Sequence, residues 1–195
     1  MLTSYKKTAE SILAPLVKPL AKVHPNLLTL LGSIPSLLFF VAILSHHYVL
    51  ALLTSFLQLF DLLDGMVARK YKKVTNFGGF FDSTMDRVAD FLLITAFAFG
   101  GIVRWEIVAP LLLFAYLTSY MRSRGELANP KVSFAVGIVE RTERLILLFV
   151  ALGFYILFPN QTTWGLNSAE VILLFVTALS FYTVLQRFIL AYKKL

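Results

Sequence analysis

All five aspartates of this 195-residue chain fall in one stretch, Asp61, Asp64, Asp82, Asp86 and Asp90. The first four are spaced with two glycines, an alanine and an arginine as Asp61-x2-Asp64-Gly65-x2-Ala68-Arg69-x8-Gly78-x3-Asp82-x3-Asp86. An ionised carboxylate in low dielectric is expensive unless it is paired or binds a metal, so four of them at helical spacing within apolar segments mark a functional site. Asp61 and Asp64 stand at i, i+3 and Asp82 and Asp86 at i, i+4, so each pair shares one helix face. The loop between the two segments is short, which predicts antiparallel neighbouring helices and four carboxylates converging on one polar cavity. Oxygen-only ligands with no cysteine or histidine beside them suit a hard cation, Mg²⁺ or Mn²⁺, better than zinc. Gly65, Ala68 and Gly78 remove bulk where a ligand or a neighbouring helix approaches. Arg69, one turn after Gly65, presents a planar donor fork suited to phosphate oxygens. Cation, arginine and clearance together describe a site for a diphosphate.

The elements that must hold these residues are apolar helices. Hydrophobic residues make up 58% of the chain and the mean hydropathy is +0.76, above the roughly 45–50% apolar content of ordinary globular proteins. This composition predicts an all-α integral membrane protein forming a single domain over residues 1–195. A spanning helix needs about 20 mostly apolar residues, and six are expected, at roughly 27–45, 48–69, 77–102, 106–125, 136–158 and 167–190. Residues 1–24 lack the charged, apolar and small-residue regions of a secretory signal. They place Lys6, Lys7, Lys18 and Lys22 between apolar residues and are broken by Pro15 and Pro19. An amphipathic helix lying on the membrane surface, lysines toward anionic headgroups, is the expectation there. Cysteine is absent, which excludes disulfides and thiolate chemistry.

Six spans with both ends cytoplasmic put every lysine and arginine except Arg104 on the inner side. The same arrangement sets both carboxylate pairs at the inner interface of the cell membrane, so the site faces the cytoplasm. At that depth the later spans add Ser119, Arg122 and Arg124, then Glu140-Arg141-Thr142-Glu143-Arg144, and finally Arg187. Several arginines facing one cavity imply an anionic acceptor, and a phosphorylated sugar alcohol fits them better than serine.

The motif matches, in every specified residue and spacing, the signature of the CDP-alcohol phosphotransferase family, and the chain is similar to that family over most of its length. The resemblance implies six transmembrane helices with the motif on the second and third, and a surface-lying N-terminal helix. It implies transfer of a substituted phosphate from a CDP-lipid, CDP-diacylglycerol or CDP-archaeol, to an acceptor hydroxyl, with release of CMP. Asp61, Asp64 and Asp82 then look like metal ligands, and Asp86 like the general base and a metal neighbour, with two divalent ions expected. Gly65, Ala68, Arg69 and Gly78 look like nucleotide-binding positions. Asn26 and Thr29 stand in a Pro-Asn-x-x-Thr pattern similar to one in the family, with helix capping and a nucleotide contact as the two readings.

Residues Ser119 to Glu126 and Gly137 to Leu145 resemble the inositol-phosphate-using branch, the phosphatidylinositol phosphate and archaetidylinositol phosphate synthases. That resemblance implies that Ser119, Arg122, Arg141 and Arg187 hold the phosphate of inositol 1-phosphate. A glycerol 3-phosphate acceptor is the alternative within the family. Family resemblance also implies a homodimer among membrane lipids, and no nucleic acid is expected as a partner.

Other readings apply to some of these residues. Asp90 continues the i+4 series outside the motif, either pairing with an arginine such as Arg87 or reaching the metal. Arg141 and Arg144 could form salt bridges with Glu140 or Glu143 or set topology. A cation-coupled transporter would also cluster carboxylates in a membrane, but it needs them near the midplane with a polar path outward. Only Arg104 and Glu106 stand near the third outer connection, in an otherwise apolar outer half.

Overall fold

A computed structural model describes residues 15, 17–58, 62–159 and 162–195. Asp61 and nearly all of the expected surface helix, residues 1–14 and 16, lie outside the described residues. After a 3₁₀ turn at Pro19–Lys22, the helices are α1 (Pro25–Leu44), α2 (Tyr48–Phe56), α3 (Leu62–Lys70), α4 (Asn76–Phe99), α5 (Trp105–Ala128), α6 (Arg141–Leu157) and α7 (Ser168–Lys194). Two-residue strands β1 (Thr162–Thr163) and β2 (Leu166–Asn167) pair antiparallel just before α7.

The helices fall near the expected apolar segments, with two differences, the first being that the helix expected over 136–158 begins only at Arg141. The segment expected as a continuous helix over 48–69 is divided, α2 ending at Phe56 and α3 beginning at Leu62. Hydropathy reports how apolar a segment is, not whether its helix is continuous. By length and composition alone, α1 and α7 are able to cross a membrane. The shorter α2, α3 and α6 fall below such a length singly, and α4 carries Asp82, Asp86, Arg87 and Asp90 before its last nine residues.

Local signals account for the helix starts. Pro25 opens α1 at a position where its missing N–H costs nothing, and His24 Nδ1 accepts the Asn26 N–H at 3.2 Å. The Thr75 hydroxyl caps α4 by accepting the Gly78 N–H at 3.0 Å. Helices α6 and α7 each begin with a reciprocal capping box, Glu140 with Glu143 and Asn167 with Glu170.

One apolar core joins α1, α4, α5, α6 and α7. Phe39 and Ile43 of α1 meet Leu93, Ile94 and Phe97 of α4, and Leu111, Leu148, Leu152 and Leu173 complete it. The Phe39 ring lies 6.1 Å from Phe97 and 5.8 Å from Phe149, centroid to centroid. This core grips the second half of α4, so the carboxylate-bearing first half projects from a fixed base. A smaller cluster of Val17, Leu28, Leu63 and Val67 seats α3 and the entering chain against α1. Lys73 Nζ ties the end of α3 to the Ala21 carbonyl at 2.9 Å. Outward faces are apolar too: Leu27, Leu30, Leu31, Ile34, Leu37 and Leu38 of α1 are all exposed. Water would penalise so continuous a surface, whereas lipid accepts it. At the far end from the aspartates, Arg104 Nε meets Glu170 Oε1 at 2.8 Å. The hydrogen bond and charge of Glu170 raise the Arg104 pKa above that of an ordinary guanidinium.

Residues 129–140 form an extended strap between α5 and α6. Phe134, 1% exposed, lies over Gly125 of α5, and the Val139 N–H donates to the Thr183 hydroxyl of α7 at 3.2 Å. Gly137 adopts φ +150° with the Thr183 side chain directly against it, a place where no Cβ fits. A Cβ on Gly125 would stand 2.6 Å from the Phe134 ring. Gly125→Ala is therefore expected to lift the strap and destabilise the protein by about 1–3 kcal/mol, the cost of overpacking. Thermal unfolding in detergent measures this, and an unchanged melting temperature would mean that the strap is not held by this contact.

Candidate active site

The first turn of α1 is the seam between the two halves of the aspartate motif. Thr29 donates its hydroxyl to Asp64 Oδ2 on α3, while Asp64 Oδ1 accepts the N–H of Gly65. One turn earlier, Asn26 Oδ1 lies 3.3 Å from where a Cβ on Gly78 of α4 would be. Asn26 and Thr29, at i, i+3 on one face of α1, thus lie against Gly78 in one half of the motif and Asp64 in the other. The cap of α1 is His24 rather than Asn26 or Thr29, and Thr29 meets a motif carboxylate. Asp64 is buried, and two donors on its oxygens satisfy a charged group that would otherwise be costly there.

Gly65 serves Arg69. A Cβ on Gly65 would stand 3.1 Å from a terminal nitrogen of the Arg69 guanidinium, so the missing side chain lets the arginine fold back over the carboxylate turn. Ala68 is half-buried on the same helix, and Arg69 is exposed at its end. Gly78 lies in the first turn of α4, under Thr75 and Asn26.

Asp82 and Asp86 are half-buried on α4. Asp86 Oδ1 meets Arg141, the first residue of α6, at 2.7 Å, and Asp86 Oδ2 lies 3.7 Å from Arg87. Among the described residues, no three histidine, aspartate or glutamate side chains are gathered as a ready metal-holding group; Asp61 lies outside those residues. The chemistry of the remaining donors still fits a hard divalent cation, because Asp64, Asp82 and Asp86 offer only carboxylate oxygens and neither thiolate nor imidazole stands among them.

Asp90 is wholly buried and surrounded by cations. Its Oδ1 accepts Arg141 Nε at 3.2 Å, and its Oδ2 lies 3.1 Å from Arg144 and 3.4 Å from Arg87. Of the two readings open for Asp90, arginine pairing is the one with observed contacts, and it involves three arginines. Tyr116 of α5 adds a hydrogen bond to the Arg87 carbonyl at 2.9 Å. The pairing expected of Asp90 with Arg87 is present, and Arg141 and Arg144, for which pairing with Glu140 or Glu143 was the other reading, join it.

The expected acceptor residues separate into two groups. Ser119 is half-buried on α5, and Arg122 is exposed there, pairing with Glu126 at 3.1 Å. Arg141 stands against Asp86, which joins the expected acceptor side to the expected base. Arg187 of α7 is buried, and its donors meet the Val136 carbonyl at 2.8 Å, the Thr118 carbonyl, and Glu140 at 2.9 Å. It fastens the strap and the start of α6 to α5 and α7.

An apolar groove opens beside this seam. Pro19, Leu20, Leu28, Leu31, Pro35 and Leu63 are among the residues that line a volume of about 500 Å³ between the entering chain, α1 and α3. Leu28 and Leu63, which line it, are the sequence neighbours of Thr29 and Asp64.

Over residues 22–190 the chain matches the CDP-alcohol phosphatidyltransferase family. It is 35% identical over 198 residues to the archaetidylinositol phosphate synthase of Pyrococcus horikoshii, an alignment covering 100% of this chain and 98% of that one. It is 36% identical over 207 residues to the phosphatidylinositol phosphate synthase of Corynebacterium glutamicum, covering 96% and 87%. Its fold is similar to the crystal structure of Mycobacterium tuberculosis phosphatidylinositol phosphate synthase with CDP-DAG bound, with a TM-score of 0.79 and 23% identity over 93% of this chain and 94% of that one. A crystal structure of the same mycobacterial enzyme in complex with manganese and citrate superposes with a TM-score of 0.76 at 23% identity, covering 91% and 88%. The uninterrupted aspartate motif and a match over residues 22–190 lead to one conclusion: this chain belongs to the CDP-alcohol phosphatidyltransferase family.

Proposed function

We propose that this membrane-embedded transferase moves a phosphatidyl-type group from a CDP-lipid to a hydroxyl of inositol 1-phosphate and releases CMP. The observation that carries this reading is the contact of Arg141 with Asp86, which brings an arginine on the acceptor side against the carboxylate suited to deprotonate the acceptor. The full-length similarity to inositol-phosphate-using relatives supports the same acceptor.

Asp61, Asp64, Asp82 and Asp86 would hold Mg²⁺ or Mn²⁺, as two ions. When bound, the metal neutralises charge on the donor diphosphate. Thr29 and the Gly65 N–H orient Asp64, Arg69 offers its donor fork to phosphate oxygens, and the first turn around Asn26, Ala68 and Gly78 leaves room for the nucleotide. Asp86 takes the proton from the attacking hydroxyl. The apolar groove beside α1 and α3 receives lipid tails, which enter sideways from the bilayer while the diphosphate reaches the seam. Both CDP-diacylglycerol and CDP-archaeol suit so permissive a surface. The protein forms one membrane domain with six spans, α2 and α3 together making the second, preceded by an interfacial helix. The site and both termini face the cytoplasm, in a homodimer of the cell membrane.

Ser119, Arg122 and Arg141 hold the acceptor phosphate, with Arg187 behind them. Arg122→Ala or Arg141→Ala each removes charge-assisted hydrogen bonds of about 1.5–3 kcal/mol. The KM for inositol 1-phosphate is expected to rise about tenfold or more while the donor KM changes little. Arg187→Ala leaves two carbonyls and Glu140 without their donor, so it should also lower thermal stability, which Arg122→Ala, losing an exposed pair, should not. Kinetics on inositol 1-phosphate, glycerol 3-phosphate, serine and free inositol test the reading. Preference for glycerol 3-phosphate, or equal damage to inositol 1-phosphate and free inositol in the arginine variants, would overturn the proposed acceptor.

A further inference from the structure

Asp90 lies one turn beyond the last motif aspartate, fully buried, and its two oxygens face different partners. Oδ2 faces Arg144, itself 1% exposed, and Arg87. Oδ1 takes Nε of Arg141, at the inner edge of that guanidinium, while NH1 of the same group meets Asp86 Oδ1. A guanidinium is planar and rigid, so engaging Nε fixes where its terminal nitrogens point. Without Asp90, three arginines would face Asp86 as the one remaining carboxylate of this cluster. Buried Arg144 and half-buried Arg87 already carry buried nitrogens with no hydrogen-bond partner, Nε and NH1 of Arg144 and Nε of Arg87, so they would compete for Asp86.

We infer that Asp90 is a positioning residue for phosphoryl transfer: it holds Arg141 by its Nε so that Arg141 meets Asp86 and the acceptor in one arrangement, and it keeps Arg87 and Arg144 from drawing Asp86 away. The inference rests on the reading of Asp86 and Arg141 as acceptor-side residues. It adds that their geometry is set by a carboxylate whose two oxygens face arginines. The physical requirement is preorganisation, since a misplacement of about 1 Å in the group that orients a reactant can cost 10²-fold in rate.

The test is a double-mutant cycle on the purified full-length protein in detergent, with CDP-lipid as donor and inositol 1-phosphate or glycerol 3-phosphate as acceptor, using whichever the wild type turns over. Asp90→Asn is expected to lower kcat at least tenfold and to raise the acceptor KM several-fold, while CDP-lipid binding stays within about twofold of wild type. In an Arg141→Ala background the same change should cost less than about threefold further, because the residue it positions is gone. Asp90→Asn leaves the buried Arg144 charge without its carboxylate, so Asp90→Asn/Arg144→Gln is measured beside it to separate unfolding from lost positioning. If Asp90 serves only as the counter-ion of Arg144, the neutralised pair recovers wild-type turnover, and the positioning role is overturned. Additive losses from Asp90→Asn and Arg141→Ala overturn it as well. If instead Arg141→Ala alone leaves the acceptor KM unchanged, the acceptor-side reading itself fails, an outcome distinct from either of these.

Discussion

Asp61→Asn, Asp64→Asn and Asp82→Asn are each expected to abolish metal-dependent CMP release from CDP-lipid. An amide keeps the size of the side chain but supplies no negative charge and a weaker oxygen donor. Hard divalent cations bind through charge density more than through shape. Loss of one ligand removes several kcal/mol of stabilisation from the developing charge, so turnover should fall by about 10²-fold or more. For Asp64 the effect is sharpened by its surroundings, because the donors from Thr29 and Gly65 are arranged for a carboxylate. Turnover across a titration of Mg²⁺ or Mn²⁺ checks each variant. One that keeps more than roughly a tenth of wild-type turnover, a loss below about 1.4 kcal/mol, does not belong in the ligand set.

Asp86→Asn separates proton transfer from binding. Asparagine can still accept a hydrogen bond from Arg141, 2.7 Å away in the native site, yet it cannot take a proton from the acceptor hydroxyl. Turnover should therefore drop by about 10²-fold or more, the scale of general-base catalysis, with CDP-lipid affinity close to wild type. The measurements are single-turnover rates and donor binding on the same preparation. Collapse of donor binding and metal affinity together with turnover would make Asp86 a ligand only, and the base would have to be sought among other groups near Arg141.

The two outcomes also bear on how the motif is built. Its halves lie on different helices, and the contacts that relate them run through α1, where Thr29 meets Asp64 and Asn26 approaches Gly78. Substitutions at the seam should consequently disturb both halves, whereas those at Asp90 or Arg141 should act on acceptor binding and turnover and leave donor binding near wild type.

Much of this was legible in the sequence because it depends on local order. Charge cost in an apolar segment, the i, i+3 and i, i+4 spacing of the aspartates, and the residue types around them single out Asp61, Asp64, Asp82 and Asp86 without any fold. Apolar segment length likewise predicts the all-helical architecture, since a helix meets its own backbone hydrogen bonds whatever surrounds it. What the tertiary structure decided are contacts across long separations. Periodicity tells which face of a helix a side chain occupies, but not which helix will pack against that face. Asn26 and Thr29 meet the motif only because α1 packs on both α3 and α4. Asp90 belongs to three arginines because α6 brings Arg141 and Arg144 onto α4. Arg187, grouped by resemblance with the acceptor residues, is buried beneath the strap, for burial and partner choice depend on residues 47 to 69 positions away. The break between α2 and α3 was equally beyond reach, as hydropathy records the apolar content of a segment and is blind to the continuity of its backbone.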